Sequence, residues 1–196
     1  MKYFWVLFSQ DNPGSLIADV YDFKGVDRDR LCVGEPVNDW NAESFVAVGE
    51  FGRDGTPDDV LVTGAGVPIF SERLRLALEE INTSGIQFLP IKVVSSSTVS
   101  DSFQVANLLN RLPLLDEDAS DLRHYAEDYF IESRRGQVSG IKVPVLRRTS
   151  SLNGVEIFRL REFWAPVFVS QRFRDLFRLR RFTGIDFAEV ATTDAE

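Results

Sequence analysis

The hydrophobic positions of this chain fall into short runs broken by polar turns, and the runs predict more strands than helices. Lys2 to Ser9 is rich in aromatic and β-branched residues and predicts an opening strand. Asp11-Asn12-Pro13-Gly14 is a turn signal. Residues 24–43 are polar, with Gly, Pro and many Asp, and predict a long loop with short elements. Phe45 to Val48 is a short strand candidate, and Gly52 to Asp59 is another loop. The period then changes. Ser71 is a good helix cap, because its hydroxyl can accept from an early helix N–H. Leu74, Ala77, Leu78 and Ile81 follow at i, i+3, i+4 and i+7, which makes one apolar helix face. Gly85 stops that segment, and Ile86 to Val94 predicts a strand.

The same pattern recurs 99 residues later without a gap. Ser170 caps, Phe173, Leu176 and Phe177 form the stripe, Gly184 stops it, and Ile185 to Val190 predicts a strand. Ser71, Arg73, Arg75, Gly85, Ile86 and Phe88 match Ser170, Arg172, Arg174, Gly184, Ile185 and Phe187. Arg180 stands where Ile81 completes the first stripe, so the second helix should be more exposed at its end. This is a strand–helix–strand module used twice, around 67–94 and 166–190; two copies are too few for a solenoid.

Between the copies, Phe103 to Asn110 predicts a strand, Leu115 to Ser120 an acidic loop, and Asp121 to Ser133 a short helix. Val138 to Arg147 and Val155 to Leu160 are strand candidates separated by the turn-like Ser150-Ser151-Leu152-Asn153-Gly154. The expected fold class is α+β, mixed, with mainly antiparallel sheets. The expected organisation is one domain over 1–196, or two sub-lobes of about 1–110 and 111–196.

Composition narrows the function classes. A chain of 196 residues can bury a full core without disulfide or metal staples, and 16 Phe predict an aromatic-rich core. A formal charge of −8 argues against a general nucleic-acid binder, which carries a basic surface. One Cys, Cys32, rules out an intramolecular disulfide, and one His, His124, argues against catalytic zinc. No apolar run approaches a membrane span. The start is too short and too quickly polar for a signal peptide, so the cytoplasm is the default address. Charge is also segregated. Residues 11–60 hold 12 acidic and 4 basic residues, 116–132 hold 7 and 1, and 134–181 hold 3 and 12. Either the blocks pair across the fold, or an acidic face steers a basic partner. Of the 22 basic residues 18 are Arg, which suits bidentate ion pairs with carboxylates.

Candidate chemistry is sparse. Gly64-Ala65-Gly66 lacks the third Gly and the Lys-Ser/Thr of a phosphate loop and reads as a turn. The helix start at Ser71 could bind an anion, as any helix start can. On a helix, Glu127 and Asp128 would share the face of His124, forming an acid–base unit, a weak metal site or a solvated face. Cys32 has no His beside it in sequence and reads as a buried thiol. Asp116, Glu117, Asp118 and Asp121 lack the ligand order and central Gly of an EF-hand, so they read as a solvated, partner-facing acidic loop. Ser95-Ser96-Ser97 reads as a loop or exposed edge. Trp5, Trp40 and Trp164 read as core or interface anchors.

The segments Ile157-Phe158-Arg159-Leu160, Pro166-Val167-Phe168-Val169-Ser170 and Thr183-Gly184-Ile185-Asp186-Phe187 resemble the C-terminal signature of a bacterial immunity-protein family. It is the family numbered eleven among polymorphic toxin systems, long filed as a domain of unknown function. Pro68 to Ser71, Gly85 to Ile91 and Leu115 to Ser120 fit the same pattern, so the resemblance spans about residues 60–190. Asp121 to Ser151 matches no part of it and is a candidate for setting partner choice. The resemblance implies a protein that binds and neutralises a cognate toxin in interbacterial competition, without catalytic residues or a cofactor. The expected partner-binding residues are Asp116, Glu117, Asp118, Asp121, Glu127 and Asp128; neither nucleic acid nor membrane is an expected partner. The alternatives are a small antidote enzyme using His124 with a nearby carboxylate, and a structural module that dimerises.

Overall fold

The computed structural model describes residues 2–8, 17, 18, 20–48, 57–64, 66–95 and 99–194. Its β-branched and aromatic runs form strands, and its two Ser-capped stripes form the longer helices. The first half runs β1 (Tyr3–Leu7), β2 (Ile17–Ala18), β3 (Val20–Asp22), α1 (Arg28–Cys32), β4 (Phe45–Ala47), β5 (Val60–Thr63), β6 (Pro68–Ser71), α2 (Glu72–Glu80), β7 (Ile86–Val94) and β8 (Val99–Leu108). The second runs β9 (Arg111–Leu112), β10 (Asp121–His124), β11 (Val138–Val143), β12 (Val145–Arg148), β13 (Ile157–Leu160), β14 (Val167–Ser170), α3 (Gln171–Leu179) and β15 (Asp186–Asp194). The molecule is mostly β-sheet with a few short helices, a mixed α+β arrangement.

The strands make three sheets. A seven-stranded sheet has the order β2-β5-β6-β8-β7-β4-β3, a six-stranded sheet β12-β15-β1-β14-β13-β9, and β10 pairs with β11 alone. Strand β1 lies between β14 and β15, with Tyr3 opposite both Ser170 and Val190. Strands β7 and β8 form the long hairpin of the first half, running from Ile86 opposite Leu108 to Val94 opposite Val99.

Burial explains why the helices sit where they do. Leu74, Ala77 and Leu78 of α2 and Phe173 and Phe177 of α3 enter one core, between the two large sheets, with Phe4, Val6, Val60, Phe70 and Val169. Each buried Phe contributes roughly 2–3 kcal/mol of apolar transfer there. A second core, around Leu31, Val46, Leu61, Ile69 and Ile91, belongs to the seven-stranded sheet. A third, around Leu114, Leu115, Leu146, Phe158 and Phe168, belongs to the six-stranded sheet. Six Phe rings meet in edge, tilted or stacked pairs around Phe177 and Phe158, as the composition led one to expect.

Two expectations change. Residues 121–133 are not a helix: β10 occupies Asp121–His124, and a hydrogen-bonded turn with one 3-10 segment follows. The run from Val138 to Arg147 is two strands, because Pro144 has no N–H to donate to a ladder and divides β11 from β12. The polar stretch 24–43 is mostly loop with one short element, α1, whose cap Asp27 accepts from the Asp29 N–H at 2.9 Å, in line with its composition. The turn at Asp11 to Gly14, most of the loop at 52–59, and Ser96 and Ser97 lie outside the described residues.

Candidate partner-binding surface

The acidic loop is pinned to the six-stranded sheet by its backbone. The Asp116 N–H donates to the Val145 carbonyl at 2.9 Å, and the Arg147 N–H donates to the Leu114 carbonyl at 2.8 Å. Ser120 Oγ accepts from the Val145 N–H at 2.9 Å. Leu114 and Leu115 are buried beneath. Asp116 is part of this fastening. Its carboxylate accepts from Thr193 Oγ1 at 2.6 Å and from the Ala119 N–H at 3.2 Å. The Thr193 hydroxyl is the main reason its carboxyl sits below the usual carboxylate range. Glu117 and Asp118 project from the same turn and are exposed, with no ion pair among the described residues.

Beyond the loop, β10 and β11 form a small hairpin that joins neither large sheet. Asp121 faces Val143, Leu122 faces Ile141, Arg123 faces Gly140 and His124 faces Val138, with two irregularities in register. Val138 is buried in the third core, and Leu122 and Ile141 pack partly against it. Asp121 pairs with Lys142 at 3.2 Å, both exposed. An exposed pair of this kind adds little stability.

The tip, residues 125–137, is closed by its own hydrogen bonds. The Tyr125 N–H donates to the Gln137 carbonyl at 2.9 Å, and the Gly136 N–H donates to the Tyr125 carbonyl at 3.1 Å. Arg135 Nε donates to the Tyr129 carbonyl at 2.9 Å, and Gln137 Nε2 donates to the Ser133 carbonyl at 2.8 Å. Gly136 has φ +68°, a left-handed turn position that suits a residue without Cβ. Three rings collect on this tip. Tyr125 and Tyr129 lie 4.5 Å apart, as do Tyr129 and Phe130. The Arg134 guanidinium lies over Tyr125 at 5.9 Å. Phe130 is 79% exposed.

The six acidic residues singled out in the sequence thus separate. Asp116 fastens the loop and Asp121 pairs with Lys142, whereas Glu117, Asp118, Glu127 and Asp128 are exposed with no ion pair among the described residues. His124 is exposed on β10, and the shared helical face that would have joined it to Glu127 and Asp128 does not exist. No hydrogen bond joins them among the described residues, so the acid–base pair is not assembled. The described residues also hold no group of three His, Cys, Asp or Glu that could bind a metal. Cys32 is buried, and burial pushes its thiol up, away from reactivity. Trp40 and Trp164 pack against the first-half core and Trp5 against the third, as expected of anchors. Gly64 and Gly66 lie in the turn between β5 and β6.

Residues that sequence reasoning missed lie between the halves. At each longer helix start a carboxylate accepts from the capping serine hydroxyl: Asp59 from Ser71 at 2.7 Å, and Glu156 from Ser170. Arg73 pairs with Asp59 at 2.5 Å and Arg172 with Glu156 at 3.3 Å. The anion position at these helix starts is therefore filled by the protein itself. Arg159, fully buried on β13, donates to the carbonyls of Trp164, at 2.5 Å, and of Gly66, at 2.8 Å. Burial lowers its guanidinium to about 10. Gly66 belongs to the seven-stranded half, so this side chain ties the two sheets together.

No helix among the described residues is long and apolar enough to cross a membrane. A comparison with curated proteins gives no match. A family model described as the immunity protein family Imm11 matches residues 22–192.

Proposed function

The chain belongs to the Imm11 immunity protein family, and on that premise we propose that it neutralises a cognate bacterial toxin by binding it, as a stoichiometric inhibitor without catalysis or cofactor. The family supplies the toxin-neutralising role in general. The mode of action rests on one observation: among the described residues the acidic loop and the β10–β11 hairpin hold carboxylates without an ion pair, the hairpin tip also presents the exposed Phe130, and His124 has no acid–base partner. Tight inhibition needs an interface of roughly 1,600 Å² with a few aromatic or Arg anchors. The surface from Glu117 to Asp128 supplies carboxylates for its rim. The formal charge of −8 supports a protein partner rather than nucleic acid.

The frame that carries this surface is read as one strand–helix–strand module used twice, in one domain with two sub-lobes. Matching details support the reading. Both helices start at a serine whose hydroxyl accepts from the third following N–H, Leu74 at 3.2 Å and Phe173 at 3.1 Å. Both end through a left-handed residue, Asn82 at φ 53° and Arg181 at φ 55°, followed by Gly85 and Gly184 at positive φ.

Co-expression with the product of the neighbouring toxin gene tests the proposal. Survival together with a stable co-purifying complex is the expected result. Survival without a complex would favour an enzymatic antidote, and His124→Ala would then abolish protection; a binder keeps it.

A further inference from the structure

The two large sheets share an order and a set of strand senses. Along β2-β5-β6-β8-β7-β4 the pairings run parallel, antiparallel, antiparallel, antiparallel, parallel. Along β9-β13-β14-β1-β15-β12 they run the same way. Helix α2 joins β6 to β7, and α3 joins β14 to β15. What differs is what lies between corresponding strands. From β2 to β4 the chain passes through β3 and α1. Strand β3 extends the seven-stranded sheet, and α1 gives Leu31 and Cys32 to its core. From β9 to β12 it passes through the β10–β11 hairpin, which extends neither large sheet. The paired frame accounts for the rest of the second half and leaves this hairpin as an addition to it. Function commonly resides in such additions to a shared scaffold.

The hairpin is built for contact. Its base is seated in the third core through Val138, and its tip is closed by backbone hydrogen bonds. Ordering it on a partner therefore costs little. The tip presents Tyr129 and the 79% exposed Phe130 in ring contact. Tyrosine and other aromatic side chains are the common anchors of interface centres. Arg135 is engaged by Glu132 and by the Tyr129 carbonyl, and Arg134 lies over Tyr125. Glu127 and Asp128, between the rings, have no ion pair among the described residues, and Arg123 crosses Gly140 lower on the hairpin. The tip thus offers apolar rings flanked by open carboxylates.

We propose that the hairpin tip is the element that enters the toxin. Phe130 and Tyr129 fill an apolar pocket, and Glu127 and Asp128 meet cations on its rim. The occupant is a toxin domain whose cleft is rimmed with Lys or Arg, the chemistry of proteins that act on anionic substrates. This rests on the toxin-binding reading above.

The test measures binding kinetics of the full chain to its immobilised cognate toxin. Tyr129→Ala with Phe130→Ala should weaken binding about 30-fold or more, chiefly through faster dissociation. Glu127→Gln with Asp128→Asn should slow association and flatten its salt dependence. Leu179→Ala, which trims an equally exposed apolar side chain at the end of α3, should change neither. Thermal unfolding of each variant confirms that the frame is intact. Wild-type affinity in the Tyr129/Phe130 variant overturns the inference and leaves the toxin-binding reading standing. A wild-type chain that fails to bind the toxin overturns both.

Discussion

Glu156 and Asp59 occupy the same position relative to their helices, yet they depend on their serines to different degrees. Asp59 keeps Arg73 and the Thr183 N–H, at 3.1 Å, when the Ser71 hydroxyl is removed. Glu156, also buried, keeps Arg172 alone among the described side chains, at 3.3 Å, when Ser170 is removed. A lost cap costs about 1 kcal/mol, and a buried acceptor left short of a donor costs about 1–3 kcal/mol more. Ser71→Ala should therefore cost about 1 kcal/mol and Ser170→Ala about 3 kcal/mol, measured by urea unfolding. Equal losses would show that Glu156 finds another donor. At this scale the serines were legible in the sequence, because a cap needs only its next three residues. Their carboxylates were not. They lie 12 and 14 residues upstream, brought near by hairpin pairing that no local pattern encodes.

Among the elements, those with a strong local period were the most legible. Ile86 to Val94 forms β7 over the expected residues, and both Ser-capped stripes form helices. The hairpin was not legible. Asp121 to Ser133 offers polar residues at helical spacing but little apolar stripe to bury, and Leu122 instead pairs across 19 residues with Ile141. Gly136 and the alternation of buried Val138, half-buried Ser139 and buried Gly140 were the signals available for a hairpin. Because β10–β11 extends neither large sheet, replacing residues 122–142 by a short Gly-Ser linker should leave both sheets folded. Loss of Val138, Leu122 and Ile141 from the third core should cost about 2–4 kcal/mol. Toxin binding should vanish. Circular dichroism and a pull-down check this; a replaced chain that still protects would place recognition elsewhere.

For the molecule as a whole, the basic block finds partners both inside and outside the acidic blocks. Among the described residues, the basic residues of 134–181 pair with Glu156, Asp175, Glu80 and Asp194, and reach the acidic block 116–132 at Asp121 and Glu132. The place of β1 was also beyond local reading. Its strand character was plain, but its neighbours β14 and β15 lie at the other end of the sequence. It stands to β15 as β8 stands to β7. A permuted chain that opens between Phe8 and Ile17, and joins Asp194 to Lys2 by a short turn, should therefore fold with unchanged circular dichroism. A permuted chain that aggregates while tolerating the same turn as an insertion elsewhere would show that this equivalence is only topological.

The central claim is neutralisation by occupancy, and its most direct measurement is stoichiometry. A fixed amount of the cognate toxin is titrated with this chain, and the residual toxic activity is followed together with complex mass. The expected result is a linear fall to zero at one chain per toxin, with all toxin recovered in the complex. Complete loss of activity at a small fraction of that ratio, with free toxin recovered, would contradict it and identify a catalytic antidote.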